Sequence, residues 1–102
     1  AELDELAGRF VGLGLGLLEV LPAGQLQEML SHGGVPDPNR VYAAGRLLEA
    51  RGTMAEEAGD ADYAAVCNRK ALRLLIACHD RLGSYLNDEH QQAIARLTAA
   101  LG

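Results

Sequence analysis

The side chains best suited to catalysis in this sequence are three histidines and two cysteines. His32, His79 and His90 stand far apart in the chain and have no ligand-like spacing to one another. Cys78, His79 and Asp80 are consecutive, but neighbouring residues of a helix point about 100° apart. They therefore cannot act together as nucleophile, base and orienting acid. From these residues we expect neither an enzymatic activity nor a bound cofactor.

The acidic residues show no pattern typical of metal ligands or of a catalytic pair. Asp88 and Glu89 precede His90, but acids at an exposed helix start are explained by the helix dipole without a metal. Glu56 and Glu57 lie on the outer side of a predicted helix, where no pocket is implied for acid–base chemistry. We therefore expect no metal site.

The two cysteines, Cys67 and Cys78, lie on one predicted helix. At 1.5 Å per residue their separation is about 16 Å, far beyond the reach of a disulfide bond. Their spacing is close to three helical turns, so both side chains face the same side and fit as small buried apolar groups. Free thiols are typical of a reducing compartment, and we predict a cytoplasmic protein.

Length and charge limit the fold and the partners. The chain has 102 residues, which predicts a single domain, 1–102, and its composition is 49% hydrophobic and 23% charged, too apolar for a disordered chain. The formal charge of −5 and the pI near 5.0 are unfavourable for nucleic acid and for a membrane surface, both of which select basic faces. We expect no nucleic-acid partner and no membrane association.

Residues 37–82 carry the clearest structural pattern, that of two antiparallel helices joined by a tight turn. Asp37 is suited to cap the first helix, and Pro38 stands at the first helical position, where its missing N–H costs nothing. Gly59 can adopt the left-handed conformation that ends this helix, and Asp60 can cap the second. The pattern predicts a central helical hairpin.

Part of this hairpin resembles a tetratricopeptide repeat. The run AGDADYAAVCNRKALRL, residues 58–74, is similar to the turn and second helix of that repeat. The matching positions are Gly59, Asp60, Ala64, Lys70, Ala71 and Leu72, with Gly52 where the first helix of the repeat has its close-contact glycine. The sequence departs from the repeat at Asn68, a position that is usually aromatic, at Leu48, often tryptophan, and near Ile76, where no proline ends the helix.

The resemblance occurs once, whereas a solenoid needs about three repeats to bury a continuous core. We therefore predict a single tetratricopeptide-like hairpin, as in small bacterial helical domains built around one. The resemblance implies protein or peptide binding as the class of function, and it brings no activity with it.

Residues 2–21 are predicted to form one helix with three strips along it. The strip predicted to pack on the hairpin consists of Leu3, Leu6, Phe10, Leu13, Leu17 and Val20. The two remaining strips are predicted to form an interaction surface of Val11, Leu15 and Leu18 with Gly8, Gly12 and Gly16. A glycine inside a helix costs about 1 kcal/mol relative to alanine, so three of them need a reason. Their regular four-residue spacing favours close approach of another helix.

A second copy of the chain is the partner expected on this surface, because isologous pairing is the commonest way to cover an apolar strip. Two alternatives stay open. Residues preceding Ala1 could cover the strip, or the glycines could simply be tolerated in a helix that its leucine face holds in place.

The remaining elements are a short helix over 23–31, a turn at 33–36 and a last helix that Asn87 caps after Gly83 ends the hairpin. The residues predicted to be buried are Leu26, Met29, Leu30, Val41, Ala44, Leu47, Leu48, Met54, Ala55, Ala58, Ala93, Ile94, Leu97 and Leu101. Arg69, Lys70 and Arg73 could form a basic strip or pair with nearby acids.

The sequence thus predicts an all-α domain of about five helices, without a sheet, around the hairpin 37–82. The expected function is a non-catalytic protein-interaction or scaffold domain that associates with itself. The alternative is a small-molecule-binding or regulatory domain with a pocket between its helices, and a cavity lined by alanine and glycine would favour it.

Overall fold

Helices form nearly all of the computed structural model, which describes residues 2–32, 35–82 and 87–101. Within these ranges, side chains are described except at residues 32, 35–36, 78–82 and 87–90. In chain order the elements are α1 (Glu2–Leu6), a π-helical segment (Ala7–Val11), α2 (Leu15–Val20), α3 (Ala23–Met29), β1 (Ser31–His32), β2 (Val35–Pro36), α4 (Pro38–Glu57), α5 (Ala61–Leu82) and α6 (Asn87–Leu101). The all-α class is confirmed, with six α-helices in the described residues.

Two strands of two residues each are the exception to this helical architecture within the described part of the chain. β1 and β2 pair antiparallel, with Ser31 opposite Pro36 and His32 opposite Val35. The expected turn at 33–36 is therefore wrong for Val35 and Pro36, and so is the expectation of no sheet at all. Gly33 and Gly34 lie outside the described residues.

The central hairpin consists of α4 and α5, and its caps are the predicted ones. The Asp37 carboxylate accepts hydrogen bonds from the backbone N–H groups of Asn39 and Arg40, at 3.0 and 3.3 Å. Gly59 has a φ of +86°, and the Asp60 carboxylate accepts from the backbone N–H of Tyr63 at 3.1 Å. The left-handed glycine and both N-caps are confirmed.

Two glycines bring α4 and α5 close together. A Cβ on Gly45 would lie 2.8 Å from Leu75 Cδ2 and 3.4 Å from the Ala71 carbonyl oxygen. A Cβ on Gly52 would overlap the Asn68 side chain and lie 3.3 Å from the Ala64 carbonyl oxygen. Gly52 is therefore a close-contact glycine, as expected for its position in the hairpin.

The prediction of one helix over 2–21 is wrong. Gly12 adopts a φ of +83° and ends the π-helical segment, and α2 begins only at Leu15. The Asp4 carboxylate accepts from the Leu15 N–H at 3.0 Å, so α1 supplies a cap for α2. The break changes the direction of the chain, because a left-handed residue cannot continue a right-handed helix.

The core joins the N-terminal elements to the hairpin and to α6. Its fully buried large side chains include Leu18, Leu26, Leu30, Leu48, Leu74 and Leu75. Of the residues predicted to be buried, Met29, Met54 and Ala58 are exposed. Met54 lies on the solvent side of α4, and Ala58 follows the last residue of that helix, in the turn. Ala93 and Leu97 of α6 are buried as predicted, while Ile94 and Leu101 are half-buried.

Helix α6 is also held to α4 by an ion pair. Arg96 Nη2 donates to the Glu49 carboxylate at 3.1 Å, and Glu49 also pairs with Arg46 at 3.3 Å. The side chain of Asn87, the predicted cap of this helix, lies outside the described residues, as do Gly83 and Ser84.

Candidate functional site

The predicted interaction surface is not formed as one strip. Val11 is 1% exposed and Leu18 is fully buried in the core, so neither can contact a second subunit. Leu15 is half-buried, and the three glycines are exposed. Because the helix is broken at Gly12, four-residue spacing no longer aligns these positions. The predicted surface is therefore wrong at Val11 and Leu18.

Several side chains predicted to pack inward from the same region are exposed instead. Phe10 is 58% exposed, Val20 is 78% exposed and Leu17 is also exposed. Leu3, Leu6 and Leu13 of the same strip are half-buried against the core, as predicted. The π-helical segment and the break at Gly12 shift the phase of the helix, so the strip is only partly buried. The spacing of apolar residues in the sequence does not show where this phase shift occurs.

A polar cluster joins α2 to the hairpin, and we call it the Glu19 cluster: Glu19, Arg51, Tyr63 and Lys70. Arg51 Nε donates to Glu19 Oε1 at 3.0 Å, and the Tyr63 hydroxyl donates to the same oxygen. The Arg51 guanidinium lies 5.1 Å from the centre of the Tyr63 ring. Lys70 Nζ donates to the Leu18 carbonyl at 3.0 Å and to the Glu19 carbonyl at 2.5 Å.

These contacts describe an anchor rather than a reaction centre. The hydrogen bond to Glu19, together with burial, raises the pKa of Tyr63, and burial lowers the pKa of Lys70. Burial also raises the pKa of the neighbouring free thiol of Cys67, which disfavours the reactive thiolate. Lys70 binds carbonyls at the end of α2, where a helix terminus attracts a cation. The side chain of Cys78 lies outside the described residues.

The exposed side of α5 carries a mixed stripe that we call the α5 outer face: Val66, Arg69, Arg73 and Ile76. Their three- and four-residue spacing places all four on one side of the helix. Val66 and Ile76 are large apolar side chains with substantial exposure. Arg69 and Arg73 form no ion pair with any described residue, and at this spacing they repel each other by about 0.2–0.5 kcal/mol.

A groove of about 280 Å³ adjoins this face and is lined by Pro22, Ala23, Arg69, Lys70 and Arg73. Lys70 is engaged with the carbonyls of α2, so the two arginines are the cations left to meet a ligand or partner. The basic strip expected from the sequence therefore consists of Arg69 and Arg73.

A second cavity lies between the hairpin turn and α6, and we call it the Asn68 cavity. It measures about 210 Å³ and is lined by Glu56, Ala61, Ala64, Ala65, Asn68 and Ala100. Asn68 is 9% exposed and makes no hydrogen bond with another described residue. An unpaired buried amide costs about 1–3 kcal/mol, so this position calls for an explanation.

The described residues also bear on metal binding and on membrane insertion. Within 2–32, 35–82 and 87–101, no three His, Cys, Asp or Glu residues are grouped so that they could hold a metal ion. The side chains of all three histidines lie outside the described part. None of the described helices combines the length and apolar character needed to cross a bilayer. A comparison of the chain with protein-family models, curated proteins and solved structures finds no match.

Few of these features are indicated by the sequence. The Glu19 cluster joins residues far apart in the chain, and no local pattern singles out Glu19. Asn68 stood out as a departure from the tetratricopeptide pattern. Its burial depends on Gly52 and on the position of α6, which spacing alone does not give.

Proposed function

We propose that the chain is a non-catalytic protein-interaction domain whose contact surface is the α5 outer face. The observation that carries this proposal is the alignment of two exposed aliphatic side chains, Val66 and Ile76, with two arginines that lack an acidic partner among the described residues. The four positions span about 15 Å of helix, a length that suits a docked peptide helix.

The partner we propose is an acidic, amphipathic helix of another protein. Its aliphatic side chains would contact Val66 and Ile76, and its carboxylates would pair with Arg69 and Arg73. Arginine presents a planar fork of donors that binds carboxylates in pairs, which gives such contacts direction as well as charge. In a chain of net charge −5, two adjacent cations without an ion pair to the described side chains select an acidic partner by charge complementarity.

The resemblance of the hairpin to a tetratricopeptide repeat supports the same class of function by analogy. The free, buried thiol of Cys67 is compatible with a reducing compartment, and we propose the cytoplasm. A homodimer remains an outcome of the test, but on the α5 outer face rather than on Val11 and Leu18.

Binding of a synthetic acidic helix, with glutamates and leucines at three- and four-residue spacing, tests the proposal by fluorescence anisotropy. The double variant Arg69→Glu/Arg73→Glu should bind at least about tenfold more weakly, because each lost charged contact is worth of order 1 kcal/mol. Arg9→Glu is the matched control, since Arg9 is an exposed arginine outside this face. A control peptide in which lysines replace the glutamates should not bind.

Equal binding by the double variant and the wild type would overturn the proposed surface. Sedimentation of the two proteins without peptide tests self-association. A wild-type dimer that the double variant converts to monomer would assign the face to a second copy of the chain instead of an outside partner.

A further inference from the structure

The Asn68 cavity lies on a different side of the hairpin from the α5 outer face. Ala61, Ala64, Ala65 and Asn68 follow helical spacing and share one side of α5. Glu56, near the end of α4, and Ala100, near the end of α6, complete the lining. Four alanines with short side chains leave the space that larger residues would fill. The walls are therefore aliphatic, and the polar groups are a carboxylate and a carboxamide.

The orientation of the Asn68 carboxamide is defined by Gly52. A Cβ on Gly52 would overlap the carboxamide oxygen and lie 3.2 Å from Cγ, with the nitrogen farther away. The oxygen is thus turned to the α4 backbone, which leaves the N–H groups as the donors available to the cavity. A leucine here would fill the site without an unpaired polar group, so the asparagine marks a position built for hydrogen bonding.

The three kinds of lining group define a complementary ligand. The ligand needs an acceptor for the Asn68 N–H, a donor for the Glu56 carboxylate and a short aliphatic part for the alanine walls. An alkylammonium has no acceptor, and a carboxylate has no donor and is repelled by Glu56. We propose that the Asn68 cavity binds an aliphatic primary amide, whose carbonyl accepts from Asn68 while its NH₂ donates to Glu56.

Titration of the ¹⁵N-labelled chain with propionamide tests this site by NMR. Saturable shifts are expected at the backbone amides of Ala61, Ala64, Ala65 and Ala100, with millimolar affinity for so small a ligand. Propionate and butylammonium, which have the same number of heavy atoms as propionamide, and propylammonium, which has one fewer, should each bind at least tenfold more weakly. Propylammonium binding in the absence of propionamide binding would overturn the amide assignment, and no saturable shift with propionamide would overturn the site.

Two variants connect the binding to the cavity. Ala65→Leu fills the space and leaves Asn68 and Glu56 in place, and it should abolish binding. Glu56→Gln changes one exposed carboxylate, so the fold does not depend on it, and it should weaken propionamide binding several-fold. Binding that survives both changes would overturn the proposal. Asn68→Leu should also abolish binding, provided that its spectrum keeps the dispersion of a folded chain.

The same titration distinguishes two sources of the amide. N-acetyl-glutamine-methylamide carries a glutamine side chain between two peptide groups. Tighter binding of this compound than of propionamide would assign the site to a glutamine of a protein partner. Binding of propionamide with no gain for the glutamine compound would assign it to a free small amide. Loss of peptide binding at the α5 outer face would leave this result unchanged, because the two sites share no residue.

Discussion

Two glycines with nearly the same backbone conformation end helical segments in the two halves of this protein. Gly59, with a φ of +86°, ends α4 in the hairpin, and Gly12, with a φ of +83°, ends the π-helical segment in the N-terminal part, residues 2–30. The last carbonyl groups of α4 are hydrogen-bonded locally. The Gly59 N–H donates to the Glu56 carbonyl at 3.0 Å, and the Asp60 N–H donates to the Ala55 carbonyl at 2.8 Å. This is the Schellman pattern.

At Gly12 the backbone N–H donates locally to the Ala7 carbonyl at 3.0 Å, and a further contact comes from elsewhere in the chain. Arg40 Nε, at the start of α4, donates to the Val11 carbonyl at 2.7 Å, and its guanidinium lies over Gly12. The hairpin thus encodes its own turn in adjacent residues, whereas the N-terminal part depends on side chains of the hairpin. The same residue type therefore has a local role in one region and a dependent role in the other.

The largest effect is expected from the glycines inside the hairpin. Gly45→Val should destabilise the protein by about 2–3 kcal/mol, because its Cβ would lie 2.8 Å from Leu75 and force the two helices apart. In the N-terminal part, Gly16 has open space around it, and the change Gly16→Ala, which favours the helix, should stabilise by about 0.5 kcal/mol. Urea unfolding followed by circular dichroism measures both. A loss at Gly16 as large as that at Gly45 would contradict the comparison.

A smaller effect is expected at the hairpin turn. Gly59→Val should cost about 1–2 kcal/mol, because a β-branched residue is strained at positive φ, and Gly59→Asn should cost much less. Apart from its own chain neighbours, none of the described residues lies within 4 Å of an added Cβ at Gly59, so the difference reports backbone strain rather than a clash. Thermal unfolding of the two variants gives the comparison. Equal losses would mean that the conformation of this glycine does not control stability.

A small loss of global stability, about 1 kcal/mol, is expected for Lys70→Met, which removes the donors to the Leu18 and Glu19 carbonyls. Its main effect should be local. Hydrogen exchange in α2 should accelerate about tenfold, while exchange in the middle of α4 stays as in the wild type. Arg69→Met is the control, since Arg69 is exposed and makes no such bond. Uniform acceleration throughout the chain would show that the N-terminal part is not a separate unit.

The same contrast explains which parts of the structure could be predicted from the sequence. Asp37, Gly59 and Asp60 were interpreted correctly because a cap or a turn is decided within a few residues. The helix over 2–21 was wrong because its interruption at Gly12 is completed by Arg40, which no local pattern connects to it. Met54 was misplaced for a related reason, since apolar character does not say which side of a helix is covered.

The candidate sites divide in the same way. Arg69 and Arg73 could be grouped from spacing along one helix. Whether these arginines meet an acidic side chain depends on how the helices pack. The burial of Asn68 beneath alanines likewise depends on how α5 meets α4 and α6. Lys70 does not belong to the basic strip because it bonds to carbonyls of α2. The position of α2 in turn depends on the break at Gly12.

The contacts that fasten the N-terminal part also determine the order in which the chain assembles. Arg40 reaches back 29 residues to Val11, Arg51 reaches 32 to Glu19, and Lys70 reaches 52 to Leu18. Contacts across long loops carry a larger entropy of closure and form slowly, while a hairpin of adjacent helices forms from near neighbours. We expect α4 and α5 to fold first and to act as the template on which residues 2–30 are laid down. On unfolding we expect the reverse order, in which the N-terminal part detaches first and briefly exposes apolar side chains of the core that it covers to any chaperone or protease nearby.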